Sequence, residues 1–548
     1  MRRLFRSGLL VVGACTPLLC ALVQAHEDHV GHSGEHFGSV HFPISCSPDA
    51  QREFDRAAAM LHSFFYPETV KAFSTIAKAE PSCAMAYWGI AISQRPNPLV
   101  PPFPPALLKT GWEAIRQARA ANPPTQRERD WIEALAVFFE GYDKLDQKTR
   151  SVKYEAAMRA LHERYPKDTE AAVFYALALN EAIDLSDKTY ARQLEAAAIL
   201  EKLEPKLPNH PGIAHLIIHS YDFAPIAAKG LPAARRYAAL APSAPHALHM
   251  PSHIFSTLGM WQDAINADLA SDTAAKNYAL ATSPQFTANP AANPARYHSL
   301  DFLTNAYLQL GQDKRALAIV EQRNSAGELP PEVRYSSHTA FAAIPVRYAI
   351  ERGAWAEAAS LPPLHTPYPQ AEAISWFGRA LGAARSGDLA RARNDVEVID
   401  RLRAKLAAAQ DVYWAGQLDI QAEGARAWIA LGERRTDDAI ALMRSAADRE
   451  DRAEKHVAME NRLSPMRELL GEMLLEAGKP AEAQREFELS LKVVPNRLRS
   501  LAGAGQAAAL AGKKAQARMH YRQLLVLTKD ADSERAAMKA AREFLERR

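Results

Sequence analysis

Apolar residues recur at helical spacing along most of this 548-residue chain, and the period-two alternation of half-buried strands is nearly absent. The register is clearest near the C-terminus. Leu470-Gly471, Leu474, Gly478, Ala483, Phe487 and Pro495 set small, aromatic and proline residues at fixed intervals, and Gly512, Ala517 and Tyr521 repeat them 34 residues later. Trp376, Ala380, Gly387 and Ala392 make another copy. Leu300, Leu303, Tyr307, Gly311 and Ala316 make a third, and Ser252, Phe255, Gly259, Trp261 and Ala264 a fourth. Ala57, Tyr66, Phe73 and Pro81 fit more loosely, and Gly353 and Gly432 mark two further turns. Each copy predicts two helices, with glycine ending the first and alanine allowing close approach.

A 34-residue period of paired helices is that of the tetratricopeptide repeat. The prediction is an all-α solenoid of antiparallel helix pairs, curved or closed into a cup. Each unit then packs only on its neighbours, which suits a chain too long for one compact core. Residues 46–330 form a first repeat region and 331–548 a second. Three proline-dense stretches, Arg95–Pro105, Ser283–Pro294 and Leu361–Gln370, interrupt the pattern. They either rim a groove or splice imperfect repeats.

The first 25 residues read as a secretory signal: Arg2, Arg3 and Arg6, an apolar run from Gly8 to Val23, then the small-residue site Val23-Gln24-Ala25. A lipobox reading ending at Cys15 is the lesser alternative. No later stretch is long and apolar enough for a membrane span, so the expected location is the periplasm or beyond. The signal carries three of 66 bases and none of 63 acids, so the remaining chain is formally neutral and has no general attraction for nucleic acid. Cys15 and Cys20 leave with the signal. Cys46 and Cys83 are then candidates for one disulfide stapling the first hairpin, worth about 3 kcal/mol, or else two buried thiols. His26–His41 carries five histidines in sixteen residues. It reads, within residues 26–45, as a flexible tail able to capture metal weakly.

The candidate chemistry lies between. His215/His219 and His249/His253 are i, i+4 pairs, each on one helix face, and they stand 34 residues apart. Aligned on the turn glycines, His246, His249 and His253 take positions 2, 5 and 9 of one helix, and His298, Asp301 and Asn305 take the same positions in the Gly311 repeat. Asp222 follows His219 by one turn, and Arg347 takes position 9 of the Gly353 repeat, suited to an anionic ligand. Imidazoles from adjacent helices can meet at one ion. A sulfur-free His set suits Zn, Cu or Fe, with Asp222 or Asp301 completing the shell or orienting a ring. Pro251 either bends this helix, by removing the bond to the Ala247 carbonyl, or starts a new one. The alternative is a metal-free polar groove that grips a peptide or an envelope protein. No nucleophile elbow, phosphate loop or dinucleotide fingerprint is present.

Ser45-Cys46, LHSFFYPET (61–69), CAMAYWGIA (83–91), AHLIIHSYD (214–222), HMPSHIF (249–255) and YHSLDF (297–302) resemble segments of a family of exported bacterial tetratricopeptide-repeat proteins. The resemblance spans most of the chain after the signal, and HMPSHIF is its most specific piece. It implies the helical-repeat fold, groove-lining places for the aligned polar positions and an unusual His motif, and it brings no activity with it. Where relatives read Phe-Asn-His, this chain has Phe64-Phe65-Tyr66, so no imidazole acts there. The reading is a His/Asp groove binding a transition metal, for storage and delivery or for metal-assisted chemistry, with an interaction scaffold as the alternative.

Overall fold

The computed structural model describes residues 35–283 and 285–547. The signal, the lipobox and the His-rich stretch as far as residue 34 lie outside the described residues. Among the described residues every regular element is helical, from Pro48–His62 to Ala536–Glu546, with no strand. Most neighbours are joined by turns of a few residues and pack as antiparallel pairs. Some helices also touch the next but one, as Pro369–Arg385 and Val412–Gly432 do across Leu389–Ala408. This is the all-α, tetratricopeptide-like pairing that the period predicts. None of the described helices is long and apolar enough to cross a membrane.

The turn glycines hold the register. Gly259, Gly311, Gly353, Gly387, Gly478 and Gly512 all take left-handed φ between 67° and 91°, where a Cβ is strained. Gly432 departs from the pattern: it ends the Val412–Gly432 helix, and Arg434 takes the left-handed place at φ 64°. The absent Cβ at 432 is used instead for contact, since one built there stands 2.6 Å from the Leu389 side chain.

The first large apolar cluster runs from Phe37 to Tyr348 and the second chiefly from Tyr335 to Ala507. Helix Tyr335–Glu351 feeds both, so no clean cut falls at residue 330. The stretch expected to be a loose tail is packed from His36 onward. Phe42 is fully buried against Phe54, Trp88 and Trp131 at ring-centroid distances of 5.3, 5.3 and 4.7 Å, and the Ser39 N–H donates to the Asn209 carbonyl. Aromatic residues spaced among the histidines outweigh the polar composition there. Cys46 and Cys83 are joined as a disulfide.

The C-terminal repeats return onto the histidine-bearing ones. Trp261 Nε1–H donates to the Asn496 carbonyl (2.8 Å), and the Asp532 N–H to the Gly311 carbonyl (3.3 Å). Arg497, fully buried, pairs with Glu351 and Glu468 at 2.5 and 2.7 Å. Lys455 reaches Asp222 at 2.9 Å.

Candidate metal centre

Helix Pro211–Tyr221 starts on a proline, whose missing N–H costs nothing in the first turn, and His210 caps it by accepting from the Ile213 N–H through Nδ1. His215 and His219 follow on one face. His215 Nδ1 donates at 2.6 Å to the carbonyl of His62, which ends the Pro48–His62 helix and so leaves its carbonyl free of an intrahelical partner. A carbonyl only accepts, so the ring proton sits on Nδ1 and the Nε2 lone pair faces the other way. There it stands 3.1 Å from His219 Nε2 and 3.2 Å from His246 Nε2.

A second group repeats the arrangement. Pro251 starts helix Pro251–Thr257 directly after helix Pro245–His249, which settles the two readings of that proline in favour of a new start. His249 and His253 bring their Nε2 atoms to 3.1 Å. His298, at the start of helix Tyr297–Gln309, completes the group, with ring centroids 4.7 Å from His249 and 5.6 Å from His253. In each group the three ligand nitrogens lie within 4.8 Å of one another. The groups adjoin: His219 and His253 centroids are 6.0 Å apart, His246 and His249 6.2 Å.

One phenylalanine covers each group. Phe64, held at φ 52°, lies 4.4, 5.3 and 6.0 Å from the rings of His215, His246 and His219. Phe302 lies 4.8, 4.8 and 5.2 Å from those of His249, His253 and His298. Burial disfavours the charged ring at all six histidines: it pushes His215 and His249 down to about 3, and His219, His246, His253 and His298 well below the ordinary value. These are neutral imidazoles, the form that ligates metal.

The carboxylates stand one layer out. His253 Nδ1 donates to Asp222 Oδ2 at 2.8 Å, and Lys455 and Thr257 hold the same carboxylate. Of the two roles expected of Asp222, completing the shell or orienting a ring, its contact with His253 fits the second. His249 Nδ1 is 2.6 Å from Asp268 Oδ1, which also accepts from Ser252. Burial pushes the Asp268 carboxyl well above its ordinary value. Asp301, expected in the same two roles, turns both oxygens to Arg347 at 2.9 and 3.1 Å. Arg347 is itself buried, with Glu460 at 3.4 Å, so it offers no cation to a groove ligand. Asn305 is buried too, its Oδ1 accepting from Gln309. Repeat register puts these residues on the inward face, but two opposite charges meeting there satisfy each other first.

A third cluster, His62, Glu170 and His210, braces the first group. Glu170 bridges the two Nε2 atoms at 2.7 and 2.8 Å. Burial opposes its ionisation, but His210 and His62 outweigh that and hold the carboxyl well below its ordinary value. Sequence reasoning missed Glu170, His210, Asp268, Phe302 and Lys455. A carboxylate that reaches an imidazole from another helix leaves no spacing signal.

No family model and no curated protein matches the chain. Among solved structures, the human IFIT1 dimer with PPP-AAAA is similar over 81% of this chain and 90% of its own, at 12% identity and a TM-score of 0.37. The human IFIT1 dimer with m7Gppp-AAAA is similar over the same shares, at 11% identity and a TM-score of 0.38.

Proposed function

We propose that the two histidine triads bind a pair of transition-metal ions, one per triad, in an exported protein. The carrying observation is that His215 Nε2, with its one in-plane lone pair, stands at 3.1 and 3.2 Å from two other ring nitrogens. A shared proton satisfies one such contact and leaves the third ring without a partner. An ion satisfies all three, since ligands about 2.0–2.1 Å from a tetrahedral ion stand about 3.3 Å from each other. The fixed outer nitrogens support this: the His62 carbonyl, Asp222 and Asp268 hold His215, His253 and His249 with Nε2 inward. An all-imidazole set suits Zn, Cu or Fe and not Mg or Ca. The Cys46–Cys83 disulfide favours an oxidising compartment, as export requires.

Elemental analysis of the mature chain tests this, with His26, His29 and His32 replaced by Ser to silence the N-terminal stretch. After metal loading and dialysis we expect two ions per chain. One should remain in His215→Gln/His219→Gln and one in His249→Gln/His253→Gln, with helix content checked by circular dichroism. Metal content unchanged in both double variants overturns the proposal. So does a loaded wild type that retains no metal, which leaves the peptide-groove alternative.

A further inference from the structure

We infer that the two ions are copper and that the pair, held by facing three-histidine groups under Phe64 and Phe302, takes dioxygen between them. This rests on the two-ion reading above. Three observations single out copper and oxygen from the wider choice of metals and chemistries.

The first is ligand number and charge. Each triad offers three neutral nitrogens, and the phenylalanine beside it offers no fourth ligand. Zinc held by three imidazoles adds a water as its fourth ligand, and a non-haem iron takes more, usually with a carboxylate, whereas copper(I) is content with the three imidazoles alone. The nearby acids compensate little charge. Asp222 is already neutralised by Lys455, and Asp268 is the remaining carboxyl hydrogen-bonded to a ligand ring, with its Oδ2 unpartnered among the described residues. Two divalent ions would bring four positive charges into this buried shell, and two copper(I) ions bring two.

The second is duplication. A storage or Lewis-acid site needs one triad. Two equivalent triads, with rings 6.0 and 6.2 Å apart across the junction, make a two-electron unit from two one-electron ions. Dioxygen accepts two electrons to reach the peroxide level. Each copper(I) gives one, the O–O bond is kept, both ions become copper(II), and no proton moves. The doubly reduced oxygen bridges them and supplies the negative charge that the ligand shell lacks.

The third is access. His246 and His298, one from each triad, are the two ligands that are only partly buried. We take these two rings to line the opening, where Phe64 stacks on His246 at 5.3 Å and 19° and Phe302 meets His298 edge-on at 5.2 Å. An electron-rich aromatic 1,2-diol suits this opening as reductant. Each diol loses two electrons and two protons to become a quinone, and one dioxygen serves two diols and leaves as two waters.

The test uses the full mature chain with the three N-terminal serine replacements, loaded anaerobically with copper(I) and then exposed to dioxygen. We expect two copper(I) bound and one dioxygen consumed per chain. A new near-ultraviolet band should appear with no paramagnetic copper signal, because the two spins couple through the bridge. Added catechol should be oxidised at two per dioxygen. His298→Gln should abolish oxygen uptake and leave the bound copper as copper(I), with neither the new band nor a paramagnetic signal, while His246→Gln does the same from the other side. Two copper ions bound without oxygen uptake, or an oxidised form with full paramagnetic intensity, overturns this inference and leaves the two-ion site standing. Oxygen uptake unchanged in either variant also overturns it. No copper bound overturns this inference, and the same analysis after zinc or iron loading then decides the two-ion reading.

Discussion

At the scale of single residues, a ligand histidine is useful only once its outer nitrogen is fixed, and the chain does this three different ways. A helix-end carbonyl holds His215, a lysine-paired carboxylate holds His253, and a buried carboxyl holds His249. The His62 support has its own support: a Cβ on Gly212 would stand 2.5 Å from His62 Nδ1, so that residue has room only for hydrogen. Beside the centre, burial pushes Glu460 up to about 7, against the favourable pull of Arg347. Its folded value therefore lies above the unfolded one. The contribution to stability is full below about pH 4.5 and falls as pH rises to about 7, by an order of 3 kcal/mol. Glu460→Gln should flatten that slope. Urea unfolding at pH 5 and pH 8 should show a variant little changed at the lower pH and more stable than wild type at the higher. Equal loss at both values would mean that Glu460 is ionised and needed by Arg347.

At the scale of elements, the segment Pro245–Thr257 is the hinge of the design. It gives His246 to the first triad and His249 and His253 to the second, so one short stretch fixes both groups relative to each other. The i, i+4 pairs and their 34-residue separation were legible, and so was the inward register of His246 and His298. The partition was not. Each pair is completed by a histidine of the following segment, and only the packing of helix Tyr297–Gln309 on helices Pro251–Thr257 and Trp261–Thr282 decides that His298 joins while Asp301 turns away to Arg347. The turn glycines were equally legible as helix ends, but their second duties were hidden. Gly259 and Gly353 share φ 67°, yet a Cβ at 259 would stand 2.1 Å from the Pro495 carbonyl oxygen, whereas at 353 the nearest atom is 3.9 Å away. Gly353→Ala should cost only the left-handed penalty, about 1–2 kcal/mol. Gly259→Ala should cost roughly 3 kcal/mol or more, because the returning chain must also shift. Equal losses in parallel denaturant titrations would show that the contact at Gly259 is slack.

At the scale of the whole molecule, the repeats after Tyr335 complete the centre from a distance in sequence. Periodicity predicts the helices of both halves and says nothing of this return, because the joining contacts are single side chains: Trp261 to Asn496, Arg535 to Asp313, Lys455 to Asp222. Lys455 matters most to the site. It comes from the irregular stretch between helices Thr436–Glu450 and Met466–Glu476, is nearly buried, and is the cation paired with the Asp222 carboxylate that holds His253. Removing one partner of a buried pair leaves the other charge uncompensated, typically at a cost of about 3–5 kcal/mol. Lys455→Met keeps the aliphatic bulk and should lose about that much in urea unfolding. It should also weaken metal at the second triad by about 10–100-fold, the usual effect of disturbing a ligand's supporting group. The first triad, anchored through the His62 carbonyl and Glu170, should keep its ion at unchanged affinity in a competitive chelator titration. Equal weakening of both ions would mean that the C-terminal repeats hold the centre together as a frame rather than through this one charge.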